Sequence, residues 1–202
     1  VRASATIMDR VSIGLSGVQT PIRDILLVAG ASVLLALSAH VQIPGPLPLT
    51  MQTFVVVLVA AALGSTRGSA AVLAYLAQGL AGLPVFAHGA AGPMYLAGPT
   101  GGYLIGFLVA AFVVGRMAEC GWDRRFGTAI VTFLLGHLLI LSLGFLWRSQ
   151  FVGVGMAAAE GFVRTAPGML IKTTLAAMTL PIAWRIVGRT DDAGASTVAE
   201  AE

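Results

Sequence analysis

GLPVFAHGAAGPMYLAGPTGGYLIGF, residues Gly82 to Phe107, contains no Asp, Glu, Lys or Arg and lies inside an uncharged run from Gly68 to Gly115. Such apolarity suits membrane depth, yet the stretch cannot be one helix. Pro84, Pro93 and Pro99 each lack a backbone donor, and Gly89, Gly92, Gly98, Gly101 and Gly102 loosen the chain between them. Irregular apolar backbone is tolerated in a membrane only where protein or a water-filled cavity satisfies its N–H and C=O groups. The stretch therefore reads as a loop folded over a helical bundle, shaping one wall of a pocket. Glycine lets a ligand approach the backbone closely, while Phe86, Tyr95 and Tyr103 supply flat apolar surface and two hydroxyls.

The rest of the chain fits this setting. Of 202 residues, 57% are hydrophobic and 10% charged, whereas soluble domains carry roughly 25% charged residues. The apolar residues fall in blocks of helix length without strict alternation, which favours a helical bundle over an outer-membrane barrel. The single Cys120 excludes an intrachain disulfide and any multi-cysteine metal site. A net charge of +3 set by arginines in short loops is what membrane orientation produces, and gives no reason to expect nucleic acid as a partner.

Reading outward gives an all-α integral membrane protein, a six-transmembrane-helix bundle with Gly/Pro-rich outer loops. Residues 1–20 form a polar cytoplasmic lead, 21–187 the six-helix membrane domain, and 188–202 a flexible cytoplasmic tail. The spans are expected over Pro21–His40, Thr53–Gly64, Ser69–Leu83, Gly102–Met117, Thr128–Trp147 and Met169–Val187. Between the second and third lies a tight turn, Ser65-Thr66-Arg67-Gly68. Six spans put both termini on one side, which then holds Arg2, Arg10, Arg23, Arg67, Arg116, Arg124, Arg125, Arg185 and Arg189 against Arg148 and Arg164 on the other. The positive-inside bias makes the first side cytoplasmic, with Trp122 and Trp184 at the inner boundary and Trp147 at the outer one. Loops 41–51, 84–101 and 148–167 face outward.

Chemistry-bearing residues are few. Lys172, the chain's one lysine, stands about a turn into the sixth span, where an ionisable group is costly and points to a site facing the bundle interior. The competing reading is a lysine that snorkels to the interface. A pocketed ammonium pairs with a ligand carboxylate or carbonyl. His137, mid-span without an intramembrane carboxylate, reads as a hydrogen-bonded core residue; His40 and His88 fall near the outer face, and no metal or cofactor is expected. Cys120 is assigned no role. GPTGGY is not followed by Lys-Ser or Lys-Thr, so it is no P-loop, and GxSxG and HExxH are absent. The chain has no means to hydrolyse ATP and no catalytic constellation, so an enzyme is not expected.

PLPLTMQTFVV (46–56), GLAGLPVFAHGAAGPMYLAGPTGGYLIGF (79–107) and APGMLIKTTLAA (166–177) resemble the BioY family, the biotin-specific substrate-binding subunits of energy-coupling-factor vitamin transporters. The similarity spans roughly residues 21–187. It implies a six-helix plasma-membrane subunit that captures biotin from outside, with uptake driven by a transmembrane coupling subunit and two ATPase subunits. In such transporters the substrate subunit is thought to topple in the bilayer to release its cargo inward. A solitary transporter for biotin or another vitamin-like ligand is the alternative. The resemblance implies substrate binding by Phe86, Tyr95, Tyr103, Met169 and Lys172, beneath the 84–101 loop and beside the fourth and sixth spans. It also implies that a small-residue stripe carrying Ser32 and Ala36 meets the coupling subunit. The family's sixth helix usually opens Pro-Gly-Asp with Lys three residues later. Here Pro167, Gly168 and Lys172 match, and Met169 replaces the Asp, leaving Glu160 as the one carboxylate expected in an outer loop.

Overall fold

The computed structural model describes residues 6–11, 20–43, 47 and 49–199, with side chains of the last helix described to Val187. Among the described residues five stretches are long and apolar enough to cross a membrane: Thr20–His40, Gln52–Leu80, Gly101–Glu119, Phe126–Val152 and Val154–Val187. The first four are single elements, α2 (Thr20–His40), α3 (Gln52–Leu80), α5 (Gly101–Glu119) and α6 (Phe126–Val152). The fifth joins a short α7 (Val154–Ala158), a π-helical turn over Ala159–Val163 and the long α8 (Ala166–Ala199). A one-turn α1 (Ile7–Val11) precedes them.

The expected second and third spans are not separated by a loop. They are two legs of α3, folded back on each other at Gly64, whose φ of 83° and ψ of 177° no other residue type adopts comfortably. Gln52 Nε2 donates to the Tyr75 hydroxyl at 2.6 Å, although 23 residues of straight helix would hold them roughly 35 Å apart. The legs touch where Gly68 faces Ala60; a Cβ on Gly68 would lie 2.9 Å from the Ala60 Cα. The expected turn at Ser65–Gly68 is already helical, because the reversal falls one residue earlier and is anchored from outside. Ser65 donates to Glu119 Oε1 through both its amide (2.7 Å) and its hydroxyl (2.8 Å).

α5 lies between α3 and α6, α2 packs on α3, and α8 packs on α6. The shared core includes Val56, Ala60, Phe107, Ala110, Val114, Phe133 and Ile140. The Gly102-x-x-x-Gly106 face of α5 lets α6 come close: Cβ atoms there would strike the Trp147 Cβ at 2.2 Å and the Ile140 Cα at 2.9 Å. Outward from this core stands a belt of exposed apolar side chains, among them Ile25, Leu26, Leu37, Phe112, Leu170, Ile171 and Ile186. In water such a belt would be a liability; against lipid tails it is the expected surface.

Charge gathers at one end. Arg67 bridges Asp9 (2.6 Å) and Asp24 (3.1 Å), and Arg116 pairs with Glu119 (2.9 Å). In the 120–125 turn, Asp123 is fully buried and accepts from Trp184 Nε1 at 2.6 Å, while Arg124 stacks 4.5 Å over the Trp184 ring.

The opposite end holds the two irregular segments. Residues 41–51 close with a minimal antiparallel ladder, β1 (Gln42–Ile43) on β2 (Leu49–Thr50); Pro44, Pro46 and Pro48, expected to stiffen this loop, lie outside the described residues. The 84–101 segment is irregular as expected, with a 3₁₀ turn at Ala87–Gly89 and a short α4 (Pro93–Ala97) entered through Gly92 at φ 87°. Its amides find partners: Phe86 N–H meets the Ala90 carbonyl at 3.0 Å and Gly92 N–H the Gly79 carbonyl at 2.8 Å. Trp147 Nε1 adds a bond to the Gly98 carbonyl at 2.9 Å.

Two expectations are corrected. The 148–167 segment is not a Gly-rich loop: α6 continues to Val152, Gly153 makes the break at φ 80°, and helical turns resume at once. The backbone of α8 also stays helical to Ala199, past the end expected at Val187.

Candidate ligand-binding cavity

At the irregular end a cavity opens among α3, α4, α5, α6 and α8. It is partly open to the surroundings and mostly apolar with a few polar groups, the character usual for small-molecule sites. Leu47, Leu49, Leu104, Phe107, Leu141 and Met169 supply the apolar lining, with Thr50, Gln52, Thr53, Tyr95, Thr100, Tyr103, His137, Thr165 and Lys172 between them. Among the described residues no carboxylate borders it, and Lys172 is the one full charge on its lining.

Lys172 turns inward, not toward lipid. Its Nζ donates to the Thr50 carbonyl at 2.6 Å and the Thr53 hydroxyl at 3.2 Å. These bonds join α8 to the start of α3 across the cavity and leave the third ammonium proton for an acceptor. Next to them Gln52 is fixed from both sides, donating to Tyr75 and accepting from the Thr50 hydroxyl at 3.0 Å. The Tyr75 hydroxyl passes the chain on to the Val85 carbonyl at 3.2 Å, at the root of the 84–101 segment.

The aromatic residues divide into wall and support. Tyr95 and Tyr103 line the cavity; Phe86 does not. The Phe86 ring is fully buried behind Tyr95, stacked on it at 5.0 Å and edge-on to Tyr75 at 5.6 Å, in a slot that exists because residue 79 is glycine. From there it supports the Tyr95 ring, with no surface on the cavity lining. Burial pushes the Tyr95 phenol up, against the hydrogen bond it shares with Thr100, and keeps it a neutral donor and acceptor. Tyr103 sits over Gly144, and its buried hydroxyl has no hydrogen-bond partner among the described residues.

Beside Tyr103, Arg148 is almost wholly buried and pairs with Glu160 through Nε (3.1 Å) and Nη2. Glu160 is therefore engaged within the bundle and does not border the cavity. His88 and His40 also lie off the lining; His88 Nδ1 meets Gln42 Nε2 at 3.2 Å and ties the two irregular segments together.

His137 is the residue that sequence reasoning undervalued. It is a buried core histidine, as expected, with Nδ1 at 2.8 Å from the Phe133 carbonyl and 3.1 Å from the Thr173 hydroxyl. It also borders the cavity, and its Nε2 has no partner among the described residues. Nothing in the local sequence signals this, because the facing residues come from distant helices.

Ser32 and Ala36 both pack into the bundle. Ser32 is fully buried, donating to the Ala29 carbonyl at 2.8 Å and accepting from Gln78 Nε2 at 3.0 Å, while Ala36 packs half-buried on the core. The exposed face of α2 carries Ile22, Ile25, Leu26, Val33, Leu34 and Leu37 instead. Ser32 meets α3, where its hydroxyl and the Gln78 amide satisfy each other. Among the described residues no group of three or more His, Cys, Asp or Glu is placed to hold a metal ion.

The sequence pattern of the BioY family matches residues 8–189. The chain is 40% identical over 147 residues to the biotin transporter BioY of Thermotoga maritima, covering 72% of this chain and 86% of that one. It is 34% identical over 169 residues to the probable biotin transporter BioY of Pyrococcus horikoshii, covering 83% and 98%. The fold is similar to a crystal structure of the S-component for biotin from an ECF-type ABC transporter, with a TM-score of 0.71 at 24% identity over 82% of this chain and 92% of that one.

Proposed function

The chain belongs to the BioY family, and on that premise we propose that it captures biotin as the substrate-binding subunit of an energy-coupling-factor transporter. The observation that carries this reading is the cavity itself. It is mostly apolar, it holds one inward-turned ammonium at Lys172, and two irregular segments cover its end of the bundle. Biotin offers a matching shape, an apolar bicyclic body with a ureido carbonyl and a carboxylate as acceptors. Tyr95, Tyr103 and Met169 would flank that body, with Lys172 donating to one acceptor.

Counting the two legs of α3 as two short crossings gives the six-span arrangement. The arginine-rich end then faces the cytoplasm with both termini, and the cavity opens outward across the plasma membrane. On this reading inward release is driven by a membrane coupling subunit and two ATPase subunits, in keeping with a sequence that carries no phosphate-binding motif of its own. Titration of detergent-purified protein with labelled biotin tests the reading: saturable binding to the subunit alone is expected, and its absence overturns it. Biotin uptake should further require co-expression of the coupling and ATPase subunits; uptake by the chain alone would show a solitary transporter.

A further inference from the structure

We infer that His137 is a ligand-recognition residue whose Nε2 accepts a hydrogen bond from a ureido N–H of the bound molecule; this rests on the biotin reading above. The Phe133 carbonyl, 2.8 Å from Nδ1, can only accept, so Nδ1 carries the ring proton. In the neutral ring Nε2 is then a bare lone-pair acceptor. It is buried without a partner among the described residues, in a ring that borders the cavity. Buried polar atoms are rarely left unpaired, and one beside a cavity calls for a donor on whatever fills that cavity. A cyclic urea has both halves of the required pattern, an N–H donor next to a carbonyl acceptor. The protein shows the complement: Lys172 as donor, and His137 as acceptor, joined through Thr173, the neighbour of Lys172 that bonds His137 at 3.1 Å. Among the described residues no carboxylate lines the cavity to accept from that N–H in its place.

The test compares biotin with its two ureido-N-methyl isomers on the parent protein, His137→Leu and His137→Gln. The parent should bind biotin and reject at least one methyl isomer by about tenfold or more. His137→Leu should bind biotin about tenfold more weakly and lose that discrimination, while His137→Gln, with an amide oxygen in place of Nε2, should recover part of both. Equal losses for biotin and the methyl isomers would overturn the proposal by showing a packing role. Should His137→Leu fail to fold, the parent decides the matter alone. Its Nε2 resonance, read by ¹⁵N NMR on histidine-labelled protein, should move upfield when biotin is added; an unmoved resonance with biotin bound defeats this proposal and spares the biotin reading. A parent that binds no biotin removes both.

Discussion

At the scale of single residues, the cavity is a problem in pairing a few polar groups inside an apolar wall. Lys172 already spends two of its protons on Thr50 and Thr53, so its geometry is set before any ligand arrives. Lys172→Met keeps much of the volume and removes the charged donor. A charge-assisted bond of about 1.5–3 kcal/mol is lost, so biotin affinity should fall roughly ten- to hundredfold by titration; unchanged affinity would mean that no ligand acceptor reaches this end. Met169 borders the same cavity one turn away on α8. Met169→Asp places a carboxylate beside the Lys172 ammonium, which holds it charged and offsets much of its desolvation cost. With one ureido N–H taken by His137, the added carboxylate serves the other, and affinity should rise about five- to thirtyfold. Titration of Met169→Asp with biotin checks this, and no gain would place residue 169 away from the ureido ring.

The elements depend on a few small residues at close crossings. The α3 reversal needs Gly64 at a positive φ with extended ψ, and a Cβ there would also sit 2.8 Å from Glu119 Oε1. Gly64→Ala should therefore destabilise the protein by about 2 kcal/mol or more, seen as a lower melting temperature in detergent; an unchanged melting point would show that the turn tolerates a side chain. On α2, Ala36 packs against the core and Ser32 is bonded to Gln78. Overpacking at such a site costs about 1–3 kcal/mol. Ala36→Trp is expected to reduce biotin binding and uptake together, through the fold. Loss of uptake with binding intact would return this position to the subunit interface.

For the whole molecule, the charged end clamps what the apolar bundle leaves loose. Burial alone would raise the Asp9 carboxyl, but hydrogen bonds from Arg67 and Thr6 outweigh it and hold the group below its ordinary 3.8. A lowered folded-state value means stability that is present above the unfolded value and lost as pH falls through the folded one. Asp9→Asn should thus lower the melting temperature at pH 7, and the gap to the parent should close as the pH is taken below 3.8. A gap independent of pH would assign the effect to packing of α1 on the α3 turn. The clamp ties α1 and α2 to that turn through Asp9, Asp24 and Arg67. The cavity is at the other end, so biotin affinity in Asp9→Asn should stay close to that of the parent.

How much of this was legible in the sequence follows from which interactions are local. Composition and helix-length apolar blocks determined a membrane bundle, because the bilayer constrains every backbone group in the same way wherever it falls in the chain. Proline and glycine determined that 84–101 is irregular, since both act through their own φ and their own N–H. The isolation of Lys172 in an apolar helix marked it as a site residue by its cost alone, and it does turn into the cavity. Tertiary structure decided the rest. Gly64 reads as one small residue among many until Glu119, 55 positions on, is seen anchoring the turn beside it. Ser32 carries no mark in the chain of the neighbour it meets, which the fold shows to be Gln78, 46 positions on. Phe86 looked like Tyr95 and Tyr103 in the chain, but the two tyrosines reach the cavity while Phe86 fills the slot behind Tyr95. That Nε2 of His137 has no partner among the described residues is a property of the packed bundle, since an atom is left unpaired only by everything around it.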